Sequence, residues 1–159
     1  MRYVILLRHG KAEAFSPEGD FARKLTDRGR RDSLWAGQHI RKHLVEPALT
    51  ISSDAARALE TARIVSAELR GAVALVTENR IYNATVNDLL AVINEADDAV
   101  TTRIIVGHNP GLEELVWALA PSVPPDFHLS TAAFATLETD SPWQDLVPGS
   151  ATFRGSMCP

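Results

Sequence analysis

The sequence has little of several residue types that mark other classes of protein. Among its 159 residues it has one cysteine, Cys158, so no internal disulfide can form and a reducing compartment is expected. No stretch approaches the roughly 20 apolar residues that span a bilayer, and the short apolar start lacks the order of a secretion signal. We therefore expect a cytoplasmic protein that does not associate with membranes.

An excess of positive charge is also missing from the sequence. Its 16 Lys and Arg against 20 Asp and Glu give a formal net charge of -4, which offers no electrostatic case for nucleic-acid binding. The hydrophobic share of 45% and the charged share of 23% are ordinary for a globular protein. This length suits one core, so we expect residues 1–159 to form a single, monomeric domain.

The first ten residues are the stretch around which we expect the chain to be organised. Residues 4–7 are a short apolar run, typical of a strand buried on both faces of a parallel sheet. Ligands of open α/β sheets bind beyond the carboxyl ends of the strands, and here that position carries Arg8-His9-Gly10. The guanidinium of Arg8 can donate several hydrogen bonds to an oxyanion. His9 offers a nitrogen that can act as a nucleophile or carry a proton, and Gly10 allows the backbone to approach a ligand closely.

Strand and helix patterns alternate along the rest of the chain. Thr26 is predicted to cap the first helix, and Asn109 to cap the last, with Pro110 at its first helical position. The helices are predicted at residues 27–44, 55–69 with Gly71 as the stop, 86–96 and 112–119. Further strands are predicted at residues 49–52, 73–76, 103–106, 133–137 and 151–153.

This alternation predicts an α/β fold, with three layers and a mostly parallel central sheet between helices. The last two strands have no helix between them, so at least one of them is expected to run antiparallel. Three strand-to-helix junctions then carry cations or imidazoles: Arg8 with His9, Arg57, and His108. If these junctions converge on one sheet edge, they form a cationic pocket whose natural occupant is a phosphoryl group.

The residues at these junctions match a known family. In order and spacing, the chain resembles the histidine phosphatase superfamily, of phosphoglycerate mutase-like fold, and within it the small SixA-type phosphohistidine phosphatases. The resemblance rests on the Arg8-His9-Gly10 (RHG) motif and on several further segments. These are residues 7–13, 20–23, 25–29, 52–62, 106–113 and 131–134.

The resemblance implies a role for each site residue. His9 is the nucleophile that forms a transient phosphohistidine, and Arg8, Arg57 and His108 clamp the phosphoryl oxygens. Gly10 and Asn109 are implied at the phosphate site as well, Asn109 by fixing the His108 junction. No metal or cofactor is implied, because side chains supply the positive charge. The reacting nitrogen of His9 must be unprotonated, and a hydrogen bond from its other nitrogen to a backbone carbonyl would achieve this.

A general acid is the uncertain part of the pattern. Larger relatives use a carboxyl group to protonate an alcohol leaving group, and here Glu78 is the nearest candidate, with a solvated loop carboxylate as the favoured alternative. A phosphoimidazole that is protonated on its distal nitrogen departs as neutral imidazole and has little need of such help. The resemblance thus implies a histidine-phosphorylated protein as substrate, such as a phosphotransfer domain or a phosphocarrier. The short chain leaves little material for a lid.

Two other functions stay open from the sequence. One is a phosphatase for small esters such as sugar or nucleotide phosphates; the other is a phosphate-binding module without turnover.

His39 and His43 stand four residues apart on a helix, but no acidic ligand accompanies them, and a zinc site is disfavoured. Asp20 and Arg23 are expected to pair beside the pocket. Three tryptophans are interpreted as packing residues: Trp35, Trp117 and Trp143.

Overall fold

A computed structural model describes residues 1–70, 73–95 and 97–159 of the chain. Its centre is a six-stranded sheet in the order β3-β2-β4-β1-β5-β6. The strands are β1 (Arg2–Arg8), β2 (Ala48–Ser52), β3 (Ala74–Thr77), β4 (Thr102–Gly107), β5 (Phe134–Thr139) and β6 (Thr152–Met157). The helices are α1 (Asp27–His43), α2 (Ala56–Glu68), α3 (Val86–Asn94) and α4 (Gly111–Leu119). The predicted α/β class with a mostly parallel sheet is confirmed.

Among the six strands of the described residues, β5 alone runs antiparallel to the others. The pairs β1–β4, β4–β2 and β2–β3 are parallel, whereas β5 is antiparallel to both β1 and β6. The expectation of an antiparallel strand near the end of the chain is therefore confirmed. A short connection suffices there, because antiparallel neighbours need no crossover helix.

Two apolar clusters place the helices on opposite faces of the sheet. Val4 and Leu6 of β1 pack with α3 and α4, whereas Ile5 and Leu7 pack with α1 and α2. This division follows from the period of two in a strand, which sends successive side chains to opposite faces. The continuous apolar run in β1 is therefore buried on both sides, as predicted, and the molecule has three layers.

The first predicted helix cap is confirmed and the last is wrong. Thr26 Oγ1 accepts a hydrogen bond from Gly29 N–H at 3.0 Å, as an N-cap side chain does. At α4, however, Pro110 itself is the N-cap, and the helix begins at Gly111. Asn109 lies one position further out and still accepts a bond from Glu113 N–H at 3.3 Å, so its side chain reaches the first turn without occupying the cap position.

The other differences are small or fall on residues that lie outside the described chain. Gly71, the predicted stop of α2, and Ala96, the predicted last apolar position of α3, belong to the undescribed residues. Trp143 is fully buried, as expected of a packing residue. Trp117 is 41% exposed and packs at the molecular surface, where its ring lies edge-on to Phe127 at 6.2 Å.

Candidate active site

Parallel pairing brings the three predicted junctions to one edge of the sheet. Arg8 at the end of β1 is in register with Gly107 of β4, and Ser52 at the end of β2 is in register with Val106. The residues that follow these strands therefore emerge side by side. The rings of His9 and His108 lie 5.2 Å apart between centroids, so the convergence expected from the sequence occurs.

The backbone and ring of His9 are both fixed by main-chain contacts. Its N–H donates to Gly107 O at 3.0 Å, and its carbonyl accepts from Ala132 N–H at 3.0 Å. Ala132 adopts a left-handed conformation (φ 58), which is unfavourable for alanine and indicates a backbone held by its surroundings. The ring Nδ1 lies 2.7 Å from Gly10 O. Because a carbonyl only accepts, Nδ1 carries the proton and Nε2 presents its lone pair.

The surroundings of His9 favour its neutral form. The residue is 7% exposed, and burial lowers its pKa to about 4, with the charges of Arg57, Arg8 and Arg23 acting in the same direction. The hydrogen bond to Gly10 O opposes this shift only in part. Nε2 is therefore unprotonated at neutral pH, which is the state that a nitrogen nucleophile requires.

Gly10 contributes through its carbonyl and its lack of a side chain. Its N–H donates to Thr61 Oγ1 of α2 at 3.1 Å, so the amide is already occupied within the protein. A Cβ at this position would lie 2.5 Å from Gly29 O and 2.9 Å from Ser33 Oγ of α1. The close approach that the sequence suggested at Gly10 is thus made to helix α1.

Arg57 links His9 to the loop that follows β1. Its Nε donates to His9 Nε2 at 3.4 Å, its Nη1 to Asp20 O at 2.8 Å, and its Nη2 to Asp20 Oδ2 at 3.1 Å. Asp20 also accepts bonds from Arg23 at 2.9 Å and from the Tyr82 hydroxyl at 2.6 Å. The predicted Asp20–Arg23 pair is therefore present, and it is part of a larger network that reaches the candidate nucleophile.

His108 faces His9 across the site. Its Nε2 lies 2.8 Å from Ser53 Oγ, and the ring of Tyr82 lies edge-on to it at 5.5 Å. Burial lowers the pKa of His108 to about 3, and the neighbouring His9 and Arg57 act in the same direction. The permanent positive charge of the site therefore comes from its arginines. A bound phosphoryl group would favour protonation of His108, because an opposite charge raises the pKa of an imidazole.

Arg8 is held by a second network, on the side of α4. Its Nη1 donates to Leu129 O at 3.2 Å, and Asn109 Nδ2 donates to the same carbonyl at 2.8 Å. Glu113 accepts from Leu129 N–H at 2.9 Å and lies 3.0 Å from His128 Nδ1. Asn109 is therefore placed where it supports Arg8 through Leu129, in addition to its contact with the first turn of α4.

A groove opens beside Arg8 on the surface of the molecule. It has a volume of about 500 Å³, which is enough space for a side chain of a second molecule. Its walls come from the end of β1, the start of α4 and the loop before Leu129. The lining residues are Arg8, Asn109, Pro110, Glu113, Glu114, Trp117 and His128.

Glu78, the candidate general acid, is engaged elsewhere. Its carboxylate accepts two bonds from the Arg80 side chain, at 3.0 and 2.9 Å, and one from Arg80 N–H at 3.0 Å. These bonds lower the pKa of Glu78 below its usual value, so it is ionised and has no proton to donate at neutral pH. The alternative interpretation of Glu78, as a loop carboxylate, is the one that fits its contacts.

Four side chains contact the site residues without having been predicted to do so from the sequence. Asp20 was assigned only to Arg23, and Tyr82, Ser53 and Glu113 were given no role of their own at the site. Ser53 and Glu113 lie within the matched segments 52–62 and 106–113, which is a weak signal for them. Nothing in the periodicity of the loop after β3 marks Tyr82, because its contact with Asp20 joins residues 62 positions apart.

Among residues 1–70, 73–95 and 97–159, no group of three or more His, Cys, Asp and Glu could hold a metal ion. His39 stacks on Trp35 at 4.1 Å, and its Nδ1 lies 2.8 Å from Trp35 O. None of the helices in the described part of the chain combines the length and the apolarity that crossing a bilayer requires.

Comparison with known protein families shows to which family this chain belongs. The family pattern described as the histidine phosphatase superfamily (branch 1) matches residues 4–89, which is more than half of the chain. This protein belongs to the histidine phosphatase superfamily. It is accordingly a phosphatase of that superfamily, and the phosphoglycerate mutase-like fold expected from the RHG motif is confirmed.

Two mycobacterial proteins are similar to most of the chain. An uncharacterised protein of Mycobacterium tuberculosis is 29% identical over 96% of this chain and 99% of its own. An uncharacterised protein of Mycobacterium leprae is 32% identical over 73% of this chain and 72% of its own.

Solved structures in the superfamily match the fold along its full length. A candidate phosphohistidine phosphatase SixA from Nakamurella multipartitia superposes with a TM-score of 0.84 at 27% identity, covering 99% of this chain and 96% of its own. The protein histidine phosphatase SixA complexed with tungstate gives a TM-score of 0.80 at 25% identity, covering 99% and 97% of the two chains. The similarity to SixA proteins expected from the sequence is therefore confirmed.

Proposed function

We propose that this phosphatase removes the phosphoryl group from phosphohistidine on a protein, through a covalent phosphohistidine intermediate on His9. The substrate would be a phosphotransfer domain or a phosphocarrier. The observation that carries the proposal is the protonation state of His9: Nδ1–H donates to Gly10 O, and the unprotonated Nε2 lies 3.4 Å from Arg57 Nε. A nucleophilic nitrogen thus stands next to a cationic donor that can hold a phosphoryl oxygen.

In the first step, His9 Nε2 attacks the phosphorus atom. The bond from phosphorus to the substrate nitrogen breaks, and its electron pair stays on that nitrogen. When the distal nitrogen of the substrate ring carries a proton, the leaving group is neutral imidazole. Arg8 and Arg57 bind the phosphoryl oxygens in this step, and His108 donates to them when protonated.

In the second step, water attacks the phosphorus atom of the intermediate. The bond from phosphorus to His9 Nε2 breaks, its electron pair returns to Nε2, and both protons of the water leave with dihydrogen phosphate. The proton of His9 stays on Nδ1 throughout and is donated in a hydrogen bond to Gly10 O, so the same tautomer is regenerated. Gly10 therefore acts as a positioning residue for the nucleophile.

The carboxylates near the site are ionised, which is compatible with a leaving group that needs no proton from a general acid. Glu78 is held by Arg80, and the bonds that Asp20 accepts keep the pKa of its carboxyl far below the usual value. A good general acid has a pKa near the working pH, and neither group meets that condition. The imidazole of phosphohistidine leaves without such help, whereas the alcohol of an alkyl phosphate needs a proton to leave.

The similarity to SixA proteins and the shape of the site also support a protein substrate. Only eight residues, 78–85, connect β3 to α3, so little chain is present there to cover the site. The groove beside Arg8 opens to the surface. We propose that a substrate protein contacts this groove beside Arg8 while its phosphorylated side chain reaches His9. The two guanidinium groups supply the positive charge for the reaction, and no metal or other cofactor is needed.

The test measures phosphate release from a histidine-phosphorylated carrier protein in the presence of EDTA. Wild type is compared with His9→Ala, and p-nitrophenyl phosphate is assayed in parallel. We expect rapid release from the carrier by the wild type, poor turnover of the aryl phosphate, and no release from either substrate by His9→Ala. Circular dichroism of both proteins controls for folding.

Other outcomes would favour the other two functions. Fast hydrolysis of the aryl phosphate with the carrier untouched would keep His9 as nucleophile and make small esters the substrate. Binding of the phosphorylated carrier without His9-dependent release from either substrate would indicate a phosphate-binding module.

A further inference from the structure

Asp20 is a charged residue outside the assigned set that binds Arg57 directly. It lies in a short 3-10 helix, Asp20–Ala22, in the loop that follows β1. Its carboxylate accepts hydrogen bonds from Arg23, from Arg57 in the first turn of α2, and from Tyr82 in the loop after β3. One carboxylate therefore joins three segments that are distant in sequence.

Asp20 holds both ends of the Arg57 guanidinium. Its main-chain carbonyl accepts from Nη1 at 2.8 Å, and Oδ2 accepts from Nη2 at 3.1 Å. The Arg57 side chain is only 6% exposed, and Asp20 is its one ion-pair partner within the described residues. The third nitrogen, Nε, is the one that reaches His9 Nε2. The bonds at Nη1 and Nη2 thus fix the plane of the guanidinium, and in that plane Nε points towards His9 Nε2.

We propose that Asp20 is a positioning residue for Arg57, which keeps the Arg57 Nε–H aimed at the atom of His9 that receives the phosphoryl group. The proposal rests on the proposed function for the roles of His9 and Arg57, and it adds the residue that sets their relative geometry. Arginine has many rotamers but a rigid planar fork, so two fixed bonds to its terminal nitrogens determine where Nε points.

This role differs from that of a general acid. The Tyr82 hydroxyl and the two arginines keep the pKa of the Asp20 carboxyl well below its usual range, so it holds no proton to transfer. Its effect on the reaction passes through Arg57. A preorganised donor stabilises the charge of a transition state without reorganising, whereas a donor that must first be ordered loses that advantage.

The experiment uses Asp20→Ala, Asp20→Asn and Arg57→Ala in the full chain. Asp27→Ala is the matched control, because Asp27 is an aspartate at the surface whose partner, Arg30, lies outside the site. The first measurement is the ¹⁵N chemical shift of His9 Nε2 in the free protein, which reports whether this nitrogen accepts a hydrogen bond. The second is kcat on the histidine-phosphorylated carrier.

We expect Asp20→Ala and Arg57→Ala to move the Nε2 shift in the same direction, towards that of a nitrogen with no donor. Asp27→Ala should leave the shift at its wild-type value. In the double variant, the loss of Asp20 should add nothing to the shift of Arg57→Ala. We expect kcat to fall about tenfold or more in Asp20→Ala, and less in Asp20→Asn, which keeps one acceptor oxygen.

A wild-type Nε2 shift in either Asp20→Ala or Arg57→Ala would overturn the proposal. So would an Asp20→Ala effect of the same size in the Arg57→Ala background, because Asp20 would then act independently of Arg57. The chemical shifts do not depend on turnover. If the wild type released no phosphate from the carrier, the proposed function would fail while the shifts still decided the role of Asp20.

Discussion

At the residue scale, the buried His9 and the half-buried His108 lie in a site whose positive charge comes from arginine. His9 and His108 have pKa values lowered to about 4 and about 3, chiefly by burial. Arg8 and Arg57 stay cationic, because an arginine is not deprotonated in proteins. A neutral nucleophile beside fixed cations suits attack on an anionic phosphoryl group.

The lowered pKa of His9 predicts a loss of stability in mild acid. An unfolded histidine titrates near 6.5, so as the pH falls below that value the unfolded chain takes up a proton that folded His9 does not. The free energy of unfolding therefore decreases between about pH 6.5 and pH 4. We expect His9→Ala to be less sensitive to acid than the wild type by about 2 kcal/mol between pH 7 and pH 4.5. Denaturant unfolding at both pH values measures this difference.

An equal acid sensitivity of the two proteins would mean that His9 titrates normally in the folded state. His39→Ala is a suitable control, since His39 lies on the outer part of α1 and not in the site.

The contacts of Glu78 predict that it is dispensable for phosphohistidine hydrolysis. Because its carboxylate is ionised and bound to Arg80, we expect Glu78→Gln to change kcat on the phosphorylated carrier by less than about threefold. A general acid would instead contribute roughly 10²- to 10⁴-fold. A loss in that range, with a normal circular dichroism spectrum, would return Glu78 to the active site.

At the element scale, the starts of the helices determine how the loops reach the site. Thr26 caps α1 and also donates its hydroxyl to Lys11 O at 3.1 Å, so the helix start is tied to the segment that follows Gly10. Gly29 in the first turn lies against Lys11 as well, where an added Cβ would be 2.1 Å from Lys11 O. The first turn of α1 therefore supports the RHG motif by direct backbone contact.

The cap at Thr26 predicts a local loss of stability. Thr26→Ala removes the acceptor for Gly29 N–H, and we expect the free energy of unfolding to fall by about 1 kcal/mol. Thr26→Ser keeps the hydroxyl and should lose much less. Equilibrium urea unfolding of the three proteins measures both effects. An alanine variant as stable as the wild type would show that water replaces the cap at no cost.

At the scale of the whole molecule, three layers place the site at one sheet edge and the core beneath it. Trp143 belongs to the cluster on the side of α3 and α4, where its Nε1 donates to Val100 O at 2.7 Å. Trp117 lies on the outside of α4, with 41% of its surface exposed. The same residue type thus occupies two contrasting environments in one fold.

This contrast predicts unequal effects of two tryptophan substitutions. Trp143→Ala leaves a large cavity and an unpaired carbonyl, and we expect a loss of about 3–5 kcal/mol in the free energy of unfolding. Trp117→Ala should cost less than about 1 kcal/mol, because its ring is partly in water. Unfolding curves followed by circular dichroism at a single temperature give both values. Comparable losses would contradict the burial of Trp143.

The sequence by itself determined the order of the elements and the chemistry at the strand ends. The apolar run in β1, the cap at Thr26 and the helical spacing in α2 are local patterns, and local patterns follow from the periods of strands and helices. The positions of Arg8, His9, Arg57 and His108 at strand-to-helix junctions follow from the same patterns. Parallel pairing then brings those junctions together.

Only the tertiary structure decided which further groups join them. The contacts of Asp20 with Arg57 and Tyr82, and of Ser53 with His108, connect residues 37 to 62 positions apart through loops that have no periodicity. The choice of Gly10 O as the acceptor for Nδ1 depends on the turn after β1, and the pKa values of both histidines depend on burial. Such contacts are set by how the loops pack over the sheet edge, which the sequence of each loop alone does not specify.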